Sequence, residues 1–192
     1  MATATRDRIV AAGRELFARH GFGQVGLDKI VQQARLTKTT FYNHFESKEQ
    51  LIREVLDLHE LSLRENLAVA VERSDADPRG KLLVLFDVLP QLVCGELPGC
   101  NLLVSAAADF PNELDPIRQA VIRNKQAMQQ MVLGLCQRAG APDSDSLACQ
   151  LVQLLHGAVL EQMLSAEPHR GFADARRLAG LAVDAAFVPP SY

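Results

Sequence analysis

The stretch Leu36-Thr37-Lys38-Thr39-Thr40-Phe41-Tyr42-Asn43-His44-Phe45-Glu46-Ser47-Lys48 decides how this 192-residue chain is read. Its spacing predicts a short helix with two unlike faces. Phe41 and Phe45 stand four apart, so they share a side and can anchor in a core. Thr37, Lys38, Thr39, Thr40, Tyr42, Asn43 and His44 leave the other side and the N-terminal end rich in short donors and acceptors. Hydroxyls, an amide and an imidazole of this kind can reach phosphates or base edges if the helix lies in a DNA major groove.

The flanking residues extend the pattern. Leu27, Ile30, Val31 and Ala34 follow helical spacing from Gly26 to about Ala34, and Arg35, Leu36 and Thr37 make a three-residue turn. Helix, short turn and polar second helix read as a helix-turn-helix unit. Upstream, Ile9, Ala12, Gly13, Leu16, Phe17 and His20 mark one stripe of a longer helix that ends at Gly21, a natural C-cap. Downstream, Ser47 can cap the next helix, with Gln50 at its third position completing a capping box.

On these residues the chain resembles the N-terminal domain of the TetR family of transcriptional regulators, over residues 6 to 56. The matching pieces are Ala11-Ala12-Gly13-Arg14-Glu15-Leu16-Phe17, His20-Gly21-Phe22, Leu27-Asp28-Lys29-Ile30-Val31 and Thr39-Thr40-Phe41-Tyr42-Asn43-His44-Phe45-Glu46-Ser47-Lys48-Glu49. The resemblance implies an all-α fold of about nine helices. A three-helix helix-turn-helix DNA-binding domain at 1–48 precedes a helical effector-binding and dimerisation domain at 49–192. It also implies a homodimer on a palindromic double-stranded operator, most often a repressor released by a small molecule. Within that frame Tyr42, His44 and Lys48 are expected on the phosphate backbone. Thr37, Lys38, Thr39, Thr40 and Asn43 are the candidates for reading bases.

Two departures from the family pattern stand out. Arg35 occupies a turn position where the family usually has Gly. A left-handed backbone there costs a non-Gly residue about 1 kcal/mol, unless the turn relaxes. Val25, Gly26 and Asp28 stand where the second helix usually opens with hydroxyls and a basic residue, which weakens a phosphate contact at that end. Asp28 still suits the helix dipole.

Charge is unevenly spread. The whole chain is at −3, yet residues 1–50 carry eight Lys/Arg against five acids, and the remainder twelve against eighteen. A basic end on an acidic body is the asymmetry expected of a DNA-binding head on a solvated sensor domain. No uninterrupted apolar run reaches membrane-spanning length. The N-terminus lacks the order of a signal peptide, so a cytoplasmic location is expected.

The body reads as helices at Leu51 to about Arg73, Lys81 to about Cys94 (with a kink at Pro90), Asn101 to Phe110, Asp115 or Pro116 to about Ala139, Ser144 or Ser146 to Ser165, and Phe172 to Phe187. Gly95 to Gly99 reads as a turn, and strand signals are absent. The last two helices are the expected dimer surface, through Leu151, Leu154, Leu155, Ala158, Val159 and Gln162 on one and Leu178, Leu181, Ala182 and Ala185 on the other. Periodicity alone equally allows these stripes to face the chain's own core. Candidate effector-lining residues are Phe86, Leu89, Leu92, Val93, Leu103, Phe110, Ile122, Met128, Met131 and His156. Met and Phe suit an adaptable apolar site, so an apolar or weakly polar effector is favoured.

Cys94, Cys100, Cys136 and Cys149 match no zinc spacing. Cys94 and Cys100 flank a Pro-Gly turn and could form a thiol switch, against the plainer reading of incidental thiols. No metal or cofactor is implied. No phosphate-binding loop, nucleophile elbow or paired His motif occurs, so an enzyme is not expected. The competing readings are a helical small-molecule binder or enzyme, or a redox or electrophile sensor, with an impaired head, and a head that binds protein.

Overall fold

Helix starts and stops account for most of the architecture. The computed structural model describes residues 2–94, 102–164 and 168–188. Among them run α1 (Ala2–His20), α2 (Leu27–Gln33), α3 (Lys38–Tyr42), α4 (Lys48–Arg73), α5 (Pro78–Cys94), α6 (Leu102–Asp109), α7 (Pro116–Arg138), α8 (Ser144–Leu164) and α9 (Pro168–Ala186), with no strand among the described residues. The Gly95–Gly99 turn, Asn101 and Cys100 lie outside the described residues, as does the Cys94 side chain, and with them the thiol-switch reading.

α5 begins three residues before the expected Lys81, and α9 four before the expected Phe172. In both cases a proline that reads as a breaker occupies the first helical position, where its missing N–H costs nothing. Aspartates supply caps at three starts. Asp77 Oδ1 accepts from the Gly80 amide at 2.8 Å, Asp115 Oδ1 from Ile117 at 2.7 Å and Asp143 Oδ1 from Ser146 at 3.0 Å. Each satisfies an amide that the helix itself leaves unpaired. α5 continues past Pro90 to Cys94.

The chain forms two compact units. One is Met1–Leu61 with Cys100–Asn124, and the other is Ser62–Gly99 with Lys125–Tyr192. The first is therefore larger than the 1–48 head. It gains the start of α4, α6 and the first part of α7, because Leu51, Ile52, Val55, Leu56, Leu102, Leu103, Ala106, Ile117 and Val121 share one core with the head's apolar residues. Gly13 lets α1 and α4 approach, since a Cβ there would stand 3.1 Å from Leu51 Cδ2. Asn124, buried, donates to Asp57 at 2.7 Å and to the Ala120 carbonyl at 3.0 Å, joining α7 to α4.

The second unit packs Leu67 and Val71 of α4 with Leu82, Leu85, Phe86 and Leu89 of α5, Met128, Val132 and Leu135 of α7, and the inner faces of α8 and α9. Arg176 bonds Asp87 at 2.8 Å, and Arg79 lies over the Phe187 ring at 3.7 Å.

Candidate nucleic-acid interface

The interface is built on a dry aromatic base. Phe41 and Phe45 are 0% and 1% exposed, with rings stacked 5.5 Å apart. Phe45 lies beyond α3, yet its amide still donates to the Phe41 carbonyl at 3.0 Å, which continues the helical register and keeps both rings on one side. Phe17 and Phe22 close the same core, centroids 5.0 Å apart.

The α2–α3 turn is a complete Schellman cap. The Leu36 amide bonds the Val31 carbonyl at 2.8 Å and the Arg35 amide the Gln32 carbonyl at 3.0 Å, with Arg35 between them at φ 53°. The turn has not relaxed to suit its residue. The same bonding pattern recurs after α7, where Ala141 bonds Cys136 and Gly140 bonds Gln137, but there a glycine takes the left-handed position at φ 74°. Arg8 of α1 buttresses the strained turn through the carbonyl of Ala34 at 2.5 Å and that of Arg35 at 3.4 Å. Arg6 pairs with Glu54, reaches the His44 carbonyl and covers the Phe45 ring at 4.5 Å. Part of the head's positive charge is thus committed to internal struts.

The predicted contact residues divide by what they already do. Thr37 is the N-cap of α3. Its Oγ1 accepts from the Thr40 amide at 3.2 Å and lies 2.9 Å from Thr40 Oγ1, so these two hydroxyls serve each other. Lys48 donates to the Phe22 carbonyl at 2.7 Å from a half-buried position, which ties the α1–α2 connection to the start of α4 and leaves the ammonium two further donors. Thr39, Asn43 and Tyr42 are exposed, and His44 is half-buried. The Tyr42 ring meets Phe41 edge-on, and 57% of the residue is exposed. Lys38 forms an ion pair with Asp28 of α2 at 2.7 Å. That hydrogen bond, followed by the carboxylate's charge, raises the Lys38 pKa, so its ammonium stays protonated.

The start of α4 behaves as its sequence foretells. Ser47 Oγ accepts from the Gln50 amide at 3.2 Å, while Gln50 Oε1 reaches back to the Glu46 amide at 2.6 Å, one residue earlier than a standard capping box. Of the α1 stripe, Ile9, Ala12, Gly13 and Phe17 are buried, but His20 is exposed.

Sequence reasoning missed Asp109. At the end of α6 its carboxylate accepts from the Phe22 amide at 3.2 Å, and Phe110 meets the Phe22 ring edge-on at 6.1 Å. Gly21 takes φ 75° beside this contact. No motif marks Asp109, because its partner lies 87 residues away.

The ten effector candidates are divided between the two units. Leu103 is buried in the first unit's core, Phe110 packs against it, and Ile122 belongs to the same unit. Phe86, Leu89 and Met128 are buried in the second unit's core, with Leu92, Val93 and Met131 half-buried around them. His156 is half-buried, and burial, then the charge of Lys125, lowers its pKa. A groove of about 360 Å³ in the second unit is lined by Ala68, Val71 and Glu72 of α4 and Gln130, Met131, Gly134, Leu135 and Arg138 of α7. Met131 is the candidate it includes.

The residues expected at the dimer surface differ in burial. Leu151, Leu155, Ala158 and Val159 face the chain's own core. Leu154, Gln162 and Ala182 are half-buried, whereas Leu178, Leu181 and Ala185 are exposed. Leu160 and Leu164 of α8 are exposed beside these, Leu164 at 73%, and Leu181 is 61% exposed. Cys136 is buried, which pushes its thiol up to about 11. Among the described residues no cluster of His, Cys, Asp and Glu could hold a metal, and no helix is long and apolar enough to cross a membrane.

Comparison with known proteins agrees with the geometry of the first unit. Residues 9–55 match the profile of a family described as bacterial regulatory proteins, tetR family. The chain is similar to the HTH-type transcriptional repressor NemR of Escherichia coli K12, 26% identical over 119 residues (61% of this chain and 59% of that protein). It is also similar to the HTH-type transcriptional regulator TtgR of Pseudomonas putida, 31% identical over 62% of this chain and 57% of that one. These matches thus span about three-fifths of the relatives' own length. In fold it is similar to SCO4454, a TetR-family transcriptional regulator from Streptomyces coelicolor, with TM-score 0.88, 23% identity and 96% of each chain covered.

Proposed function

Because residues 9–55 match the tetR family of bacterial regulatory proteins and the chain is similar to a transcriptional repressor, we propose that it is a tetR-family, dimeric, sequence-specific DNA-binding regulator whose body responds to a small molecule. The observation that carries this is the exposed row Lys38, Thr39, Tyr42 and Asn43 set over the buried Phe41–Phe45 pair. A rigid apolar base fixes where the donors stand, which base reading requires. Tyr42, His44 and the free donors of Lys48 serve the phosphates. Lys38, Thr39 and Asn43 serve base edges, with the Thr37 and Thr40 hydroxyls working mainly to cap the helix.

One such helix reads few base pairs. Two heads spaced about 34–36 Å apart would read successive major grooves of a palindrome. The uncovered Leu160, Leu164, Leu178 and Leu181 support a two-fold helical interface. A monomer mass by light scattering at micromolar concentration would remove it. The names of the relatives support repression as the mode. An apolar or weakly polar effector would act by favouring a body state that mis-spaces the heads, with α4 as the lever, and it must bind that state better by a few kcal/mol.

Selection from a random duplex library at near-physiological salt tests the reading. An enriched palindrome is expected, and weak, salt-sensitive binding without enrichment would overturn it. On the selected operator Tyr42→Ala weakens binding to all sequences, whereas Asn43→Ala changes preference among operator variants. Equal losses on every variant would exclude Asn43 from base reading.

A further inference from the structure

We propose that Asp28 is a specificity-determining residue of the head, holding the Lys38 ammonium so that it serves a base edge rather than a phosphate. The inference rests on the DNA-reading function above. Lys38 is the first residue of α3, the end at which recognition helices present side chains to bases. Its neighbours Thr37 and Thr40 are bonded to each other, so Lys38 is the longest donor at that end. Asp28, in the first turn of α2, meets it at 2.7 Å, and both side chains are solvent-facing at 57% and 80% exposure.

A carboxylate this close to a DNA-contacting surface is unexpected if charge alone mattered, since it repels the polyanion. Its pairing with Lys38 gives it a use. The ammonium carries three N–H donors, and Asp28 takes one. The other two remain for a pair of acceptors such as guanine O6 and N7, which the major groove offers at fixed positions. To reach a phosphate, by contrast, Lys38 must leave Asp28 unpaired beside the backbone. The pair therefore removes about one cation from sequence-independent binding while keeping a positioned donor for the correct base.

The test uses the full-length protein, the operator it selects and a shuffled duplex of the same composition, with affinity followed against salt. Asp28→Asn is expected to tighten binding to the shuffled duplex, to steepen its log–log salt slope by about 0.9, and to lower the operator-to-shuffled ratio roughly tenfold. Asp28→Glu, which keeps the carboxylate, should restore slope and ratio. In a Lys38→Gln background, Asp28→Asn should no longer change the ratio. The inference is overturned if Asp28→Asn shifts both duplexes equally, leaves both unchanged, or alters the ratio as much without Lys38 as with it. Failure of the wild-type protein to enrich any operator would overturn the DNA-reading function itself. Circular dichroism and thermal unfolding of each variant separate these outcomes from misfolding.

Discussion

The two compact units solve the burial problem with different residues. The first sets four rings, Phe17, Phe22, Phe41 and Phe45, all essentially unexposed, among buried aliphatic residues. The second closes mainly on Leu, Val, Ala and Met, with Phe86 and Phe172 as its buried rings, and carries the open groove beside Met131. Flat rings in edge and stacked contact have few ways to repack, so a surface built on them keeps its donors in place. Aliphatic chains and the unbranched Met adapt at small cost.

The largest effect tests the contrast directly. Phe41→Ala is expected to destabilise the first unit by about 3–5 kcal/mol and to abolish DNA binding, because the ring is fully buried and its loss leaves a cavity under the contact helix. Met128→Leu in the second core, a swap of nearly equal volume, should cost less than about 1.5 kcal/mol. Chemical denaturation of both variants measures the difference. Similar losses would erase the distinction between a rigid and an adaptable core.

Local patterns were legible in the sequence, while contacts between distant segments were not. The Phe41–Phe45 anchor, the α2–α3 turn and the Ser47 cap follow from spacing over three to five residues, and the structure shows each. The Asp28–Lys38 pair and the Asp109–Phe22 bond join different helices with no shared motif, so nothing local announces them. Periodicity found the apolar face of α8 but could not say what covers it. Leu151 and Leu155 went to the chain's own core, while Leu160 and Leu164 stayed outside. Residues such as Leu103 and Met128 look alike in sequence yet belong to the cores of different units.

The paired Schellman turns allow a finer comparison, one in each unit. Gly140 takes its left-handed position freely, whereas Arg35 holds φ 53° with a side chain attached. Arg35→Gly should therefore stabilise the first unit, by up to about 1 kcal/mol after the added chain entropy of glycine. A loss of stability on denaturation would mean that the Arg35 side chain contributes more than its backbone costs. The matching change Gly140→Ala in the second unit should destabilise by a similar amount.

The smallest effect concerns pH and a half-buried imidazole of the second unit. Burial, then the Lys125 charge, lowers the His156 pKa below the ordinary imidazole value. The folded state therefore favours the neutral ring, and below about pH 6.5 the unfolded chain binds the proton more readily. The stability that His156 contributes is present above that pH and is lost as pH falls through its lower folded value. His156→Gln should flatten this part of the stability–pH curve, read by denaturation between pH 7 and 5. Acid loss of stability that persists in His156→Gln would assign the pH response to carboxylates instead, and the burial of this imidazole would then have no consequence for folding.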